Sequence, residues 1–170
     1  YSYIRTKNKV AAMQAFKDAS AGSYDKAIQE DAYFNYAKLA FDLNNDPSVF
    51  DSYISTYPSK AKGDKIYSYI ALAALYNHDY AGAVEAYDKI DVLDEDMKNN
   101  YIKANYLRAD QLIEAGSYRK AVPFLKAAAY YSDKRSAFNQ LSRYWLAESL
   151  YRSDDYAGAA EGYKVLYNAS

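Results

Sequence analysis

The chain carries one histidine, His78, and no cysteine. A nucleophilic triad would need that imidazole packed between a hydroxyl and a carboxylate at a strained element end. His78 instead stands in the polar stretch Asn77-His78-Asp79 between two helical patterns, and it reads as a solvated turn residue. Lack of thiols excludes a disulfide framework, a thiolate metal site and a cysteine nucleophile, and a single imidazole excludes a histidine cluster. Asp91, Asp94, Glu95 and Asp96 supply oxygens of the kind calcium takes. They lack the glycine and the spaced bidentate glutamate of a calcium loop, so they read as acids favouring the positive end of the next helix. Gly82 and Gly158 lie at helix starts, no Gly-Lys-Ser/Thr string follows them, and no pair of carboxylates stands out for sugar hydrolysis. Tyr130-Tyr131, with Lys126, Lys134 and Arg135 nearby, is a patch that would stack bases. A formal net charge of −1 lacks the basic excess that nucleic acid demands. The expectation is a chain that is not an enzyme and binds no metal, cofactor or nucleic acid. What remains is the chemistry of tyrosine: Tyr 22 against Phe 6 and Trp 1. Each tyrosine joins a large apolar ring to one polar tip, which suits half-buried positions.

The elements that position these rings are helical. Of 170 residues, 51% are hydrophobic and 25% charged, with only Gly 6 and Pro 3. No apolar run approaches the roughly 18 residues of a membrane span. Tyr80, Tyr118 and Tyr156 recur every 38 residues. An alanine stands three residues after each (Ala83, Ala121, Ala159), and a bulky residue seven after (Tyr87, Leu125, Tyr163). Ala71, Ala109 and Ala147 stand nine before. An upstream copy built on Tyr33, Tyr36, Ala37, Val49, Phe50 and Tyr53 precedes its equivalents by 34 residues. The four extra residues of the later period fall in the connections 91–98 and 131–135. Apolar residues between the markers are spaced helically, as Ile66, Ile70, Ala73 and Ala74 are. Ser117 and Asp155 read as N-caps, Pro47 as a first-turn residue and Pro58 as a helix stop. Helices are expected at 3–19, 25–43, 47–56, 60–77, 80–90, 97–115, 118–130, 135–153 and 156–167, with Pro123 bending the seventh.

This pattern resembles the tetratricopeptide repeat. The resemblance implies an all-α, right-handed superhelix of antiparallel helix pairs at about 25–56, 60–90, 97–130 and 135–167, after an orphan helix at 3–19. In the first pair Asp46 replaces the turn aromatic and Val49 the alanine, and Arg108 stands where the family prefers leucine. Val10 to Ala19 looks like an orphan second helix, with Ala12, Phe16 and Ala19 at matching spacing. One pair cannot close its own apolar stripe, so stacking neighbours buries a continuous core. The family's geometry implies an inner wall from Phe34, Lys38, Ser68, Leu72, Tyr106, Asp110, Tyr144 and Glu148. One turn further lie Phe41, Leu75, Ile113 and Tyr151, with Arg152 among the charges that fix a partner's polarity. Rings interleaved with isolated charges suit an extended or helical peptide.

Residues 25–38 and 144–151 look like segments of bacterial cell-envelope members of this family. They imply a scaffold or adaptor in the periplasm or at the outer membrane, holding a protein or peptide partner. The alternative expectation is glycan binding on Tyr106, Tyr144 and Tyr151, and a third is a cryptic hydrolase. Helix 3–19 without a partner, and Val165, Leu166 and Tyr167 at the far end, lead us to expect a fragment of a longer array or self-association through its ends.

Overall fold

A computed structural model describes residues 2–22, 25–57 and 60–169. The expected stop at Pro58 lies outside the described residues. The described elements are all helices: α1 (Ser2–Ser20), α2 (Lys26–Asn44), α3 (Ser48–Thr56), α4 (Lys60–Tyr76), α5 (Tyr80–Asp88), α6 (Glu95–Glu114), α7 (Tyr118–Tyr131), α8 (Ala137–Arg152) and α9 (Tyr156–Ala169). No helix among the described residues is long and apolar enough to cross a membrane. The chain divides into two compact units, Tyr1–Ala73 and Ala74–Ser170.

In the first unit α1 packs on α2, and α2 on α3. Ala12, Phe16 and Ala19 are half-buried on one stripe of α1. Phe34, Ala37 and Phe41 of α2 share a core with Phe50 and Tyr53 of α3 and with Ile66 and Ala73 of α4. The ring of Tyr69 stacks on Phe50 with centroids 5.3 Å apart. Buried Tyr53 donates its hydroxyl to Glu30 Oε1 at 2.6 Å, so this ring buries its body while its tip keeps a partner. Pro47 sits one residue before α3 rather than inside its first turn, and the Asp46 carboxylate accepts from Ser48 N at 2.9 Å.

In the second unit consecutive helices pack in order from α5 to α9. The core is built on the small-residue marks of the repeat: Ala109, Leu112, Ala121 and Leu125 are buried, and Tyr106, Ile113, Phe124, Trp145 and Leu146 close over them. Ala147 and Gly162 bring α8 and α9 together, since a Cβ on Gly162 would lie 3.0 Å from that of Ala147. Arg108, where the resemblance implied leucine, is half-buried and donates to Gln111 Oε1 at 3.3 Å.

Helix ends differ from expectation in small, explicable ways. The fifth helix stops at Asp88 rather than residue 90, because Ile90 N turns back to Tyr87 O at 3.0 Å. The sixth begins at Glu95 rather than residue 97, because Asp94 caps it by accepting from Met97 N at 2.8 Å. Asp94, Glu95 and Asp96 thus serve a helix N-terminus, the last two in the first turn, whereas Asp91 lies before the cap. Asp155 accepts from Gly158 N at 2.9 Å, whereas Ser117 makes no side-chain cap bond. Helix α7 runs through Pro123.

Three of the turns share one geometry. Asp79 N donates to Ala74 O, Ser117 N to Leu112 O and Asp155 N to Leu150 O, at 2.8, 2.7 and 2.9 Å. The residue before each donor has a positive φ: His78 at 57°, Gly116 at 75° and Asp154 at 67°. This bond pattern closes a helix with a left-handed residue. The three positions are 38 residues apart, so the turn repeats with the sequence. His78 occupies such a turn position, exposed, with its ring beside Tyr80.

Candidate functional site

Helix α8 positions the most complete group of predicted site residues. Tyr144, Glu148, Tyr151 and Arg152 are spaced i, i+4, i+7 and i+8, which places them on one stripe. Ser136 fixes the start of that helix by accepting from Asn139 N at 3.1 Å. Both oxygens of Glu148 are engaged. Oε1 accepts from Arg152 Nε at 3.1 Å, and Oε2 accepts the hydroxyl of Tyr163 from α9. The Arg152 guanidinium lies 5.5 Å from the ring centroid of Tyr118 on α7. Three helices therefore hold one carboxylate–guanidinium pair.

Exposed rings flank this pair. Tyr144 is 44% exposed and Tyr151 is 51% exposed. The Tyr144 ring meets Trp145 edge-on at 5.4 Å and Tyr163 at 6.3 Å. Tyr151 meets Tyr156 edge-on at 5.4 Å. Edge contacts of this kind hold a ring in place while leaving surface open.

The electrostatics follow the geometry. The hydrogen bond from Tyr163 holds the Glu148 carboxyl below its ordinary range, Arg152 helps, and partial burial opposes them. Burial pushes the Tyr163 hydroxyl up, and its bond to Glu148 adds to that, to about 12. Glu148 thus stays ionised and Tyr163 protonated across the neutral range, the states this hydrogen bond requires.

The other predicted site residues are distributed differently. Tyr106 of α6 is half-buried against Phe138, with centroids 4.8 Å apart, and belongs to the core wall with Ile113. Burial, then the nearby Asp110 charge, raises its hydroxyl pKa. Asp110 itself is exposed. An open cleft of about 580 Å³, lined by Ile102, Tyr106, Leu107 and Phe138 among others, runs between α6 and the start of α8. In the first unit Phe34 and Phe41 are each only 8% exposed and are spent in the core, a correction to their expected place on an open wall. The reason is local: the aromatic residues of α3 and α4 close over them. Lys38 lies 5.7 Å from the Phe34 ring and 6.0 Å from that of Tyr69. Leu72 packs against the same core, and Ser68 and Leu75 are half-buried. The rings named for glycan stacking divide accordingly: Tyr144 and Tyr151 are exposed, whereas Tyr106 is half-buried in the wall of the cleft between α6 and α8.

Sequence reasoning used Tyr163 and Tyr118 only as repeat markers. Their contacts with Glu148 and Arg152 cross from one helix to another, so no spacing within a helix reveals them. The Glu148–Arg152 pair at i, i+4 was the available signal. Asn139 was also missed. It is 1% exposed, and its Nδ2 donates to Ala129 O at 2.7 Å and Ser132 Oγ at 2.9 Å, clipping the end of α7 to the start of α8.

No group of three or more His, Cys, Asp or Glu side chains among the described residues is placed to hold a metal ion. Comparison of the chain with protein-family models, with curated proteins and with solved structures finds no match.

Proposed function

We propose that the chain is a non-catalytic interaction scaffold of tetratricopeptide-like helix pairs, wound into a right-handed superhelix and binding a peptide segment of a partner on its first-helix face. One observation carries this reading: two exposed rings, Tyr144 and Tyr151, bracket a Glu148–Arg152 pair already held by Tyr163 and Tyr118. A site whose rings and charges are fixed before binding loses little entropy when a partner docks. Rings supply contact area, and a paired charge supplies direction along a chain. The resemblance of residues 25–38 and 144–151 to envelope proteins supports a bacterial periplasm or outer membrane as the proposed location of the scaffold.

The test begins with peptides selected from a random display library against the 170-residue chain. Their affinity is then measured for the wild type and for the Tyr144→Ala, Glu148→Gln double variant. The expected result is a loss of about thirtyfold or more, the scale of a hot spot, with unchanged circular dichroism. Selected peptides that bind the double variant as tightly as the wild type overturn the proposal, as does a library that yields no binder.

A further inference from the structure

A second surface lies at the open end of the α8–α9 hairpin, away from the Tyr144–Tyr151 stripe. There a cleft of about 510 Å³ is lined by Lys134, Arg135 and Arg143 on one side and by Val165 and Leu166 of α9 on the other. Among the described residues no carboxylate lines it. The ion pairs seen among the described residues, Lys9–Asp42, Lys98–Glu95 and Arg152–Glu148, involve none of these three cations. Lys134 and Arg135 are exposed, and Val165 is 42% exposed. Arg143 is held differently. Its Nε donates to Asn139 Oδ1 at 2.8 Å, and Asn139 is itself anchored, buried, to Ala129 and Ser132. A buried amide thus fixes one guanidinium in the wall of the cleft, and two exposed cations stand at its rim.

We propose that this cleft binds an acidic peptide segment of a partner protein, two or more carboxylates beside one aliphatic side chain. The argument is complementarity of charge and surface. Like charges gathered on one wall repel one another, and a carboxylate relieves that repulsion. A preorganised guanidinium meets a carboxylate with two parallel bonds. The Val165–Leu166 wall gives an aliphatic side chain somewhere to bury, which a bare phosphate would not use. No aromatic ring lines the cleft, so it offers no stacking platform for a nucleobase. Three cations fall short of the four to eight that draw a protein to an anionic membrane.

The test uses the 170-residue chain and a capped, fluorescent Asp-Glu-Leu-Asp-Glu peptide, read by anisotropy and by amide NMR shifts. Binding is expected to weaken as salt rises, to shift signals of residues 134–143 and 165–169, and to fall about tenfold in the Lys134→Glu, Arg135→Glu variant. Both substitutions are at exposed positions, so the fold is retained. A peptide with Asn and Gln in place of its acids, or with Ser in place of Leu, is expected to bind more weakly. Equal binding of any of these variants overturns the proposal. So does displacement by inorganic phosphate at the peptide's own concentration, which would mark a simple anion site. Charge-dependent binding to anionic vesicles without peptide binding would mark a membrane contact and overturn it likewise. The Tyr144→Ala, Glu148→Gln variant is expected to bind this peptide normally, which separates the two sites.

Discussion

Removing the Tyr163 hydroxyl tests whether the proposed α8 site is preorganised. In Tyr163→Phe, Glu148 Oε2 loses the donor that bridges α8 and α9, while Arg152 stays on Oε1. A neutral donor on a buried carboxylate is worth about 1.5–3 kcal/mol. The Glu148 side chain keeps 20% of its exposure, so solvent competes and about 1 kcal/mol is the expected cost. The two titrations are linked, and their signs differ. Glu148 is depressed on folding, so its contribution is present above the ordinary 4.5 and is lost as pH falls through the folded value. Tyr163 is raised from 10.0 to about 12, so its contribution is complete below pH 10 and is lost as pH rises through about 12. With Tyr 22 in the chain, absorbance cannot resolve one hydroxyl. Carbon-13 NMR of labelled tyrosine and glutamate carboxyls resolves each. Tyr163→Phe is expected to raise the Glu148 pKa toward 4.5. Glu148→Gln is expected to lower that of Tyr163 from about 12 toward, but not to, 10, because burial is the larger cause and remains. Stability is read by amide exchange in α8 and α9, since stacked helix pairs open locally. An unmoved Glu148 titration in Tyr163→Phe, or a double-mutant coupling near zero at pH 7, would refute the preorganised pair.

Two further outcomes follow from the backbone and the core. His78→Gly and Asp154→Gly are each expected to stabilise the second unit by about 0.5–1 kcal/mol, since both residues hold positive φ; Gly116→Ala is expected to cost about 1 kcal/mol, and urea unfolding measures all three. Asn139→Ala is expected to cost about 2–3 kcal/mol, because it strips donors from Ala129 O and Ser132 Oγ in a buried junction, and the loss should register as faster amide exchange where α7 meets α8.

The helices were legible because their signal is local. Alanines 71, 109 and 147 recur at one spacing, and each is 0% exposed. A small side chain there admits the neighbouring helix, so composition and packing agree position by position. The acids at 94–96 were also legible, since a helix N-terminus favours them whatever lies around it. What resisted reading is contact made across helices. Phe34 and Tyr144 occupy the same register of their first helices, yet one is 8% exposed and the other 44%. Register fixes the direction in which a side chain leaves its own helix, but the neighbours decide whether anything stands in front of it. Around Phe34 stand Tyr53 of α3 and Lys38 above its ring. Around Tyr144 the edges of Trp145 and Tyr163 hold the ring and leave surface open.

The same distinction applies to charge. Glu148 and Arg152 are an ordinary exposed helix pair on spacing alone, of a kind worth about 0.3–0.5 kcal/mol. Tyr163 from α9 and Tyr118 from α7 turn that pair into a fixed feature of the surface. Both tyrosines are repeat markers, 45 residues apart in the chain and brought to one place by the stacking of α7, α8 and α9. A residue that marks the repeat can therefore also build the surface the repeat presents. In this chain the tyrosine tip is what allows it: a leucine, as at position 125, fills the core and ends there, whereas Tyr163 extends a hydroxyl to the edge and holds a charge in position.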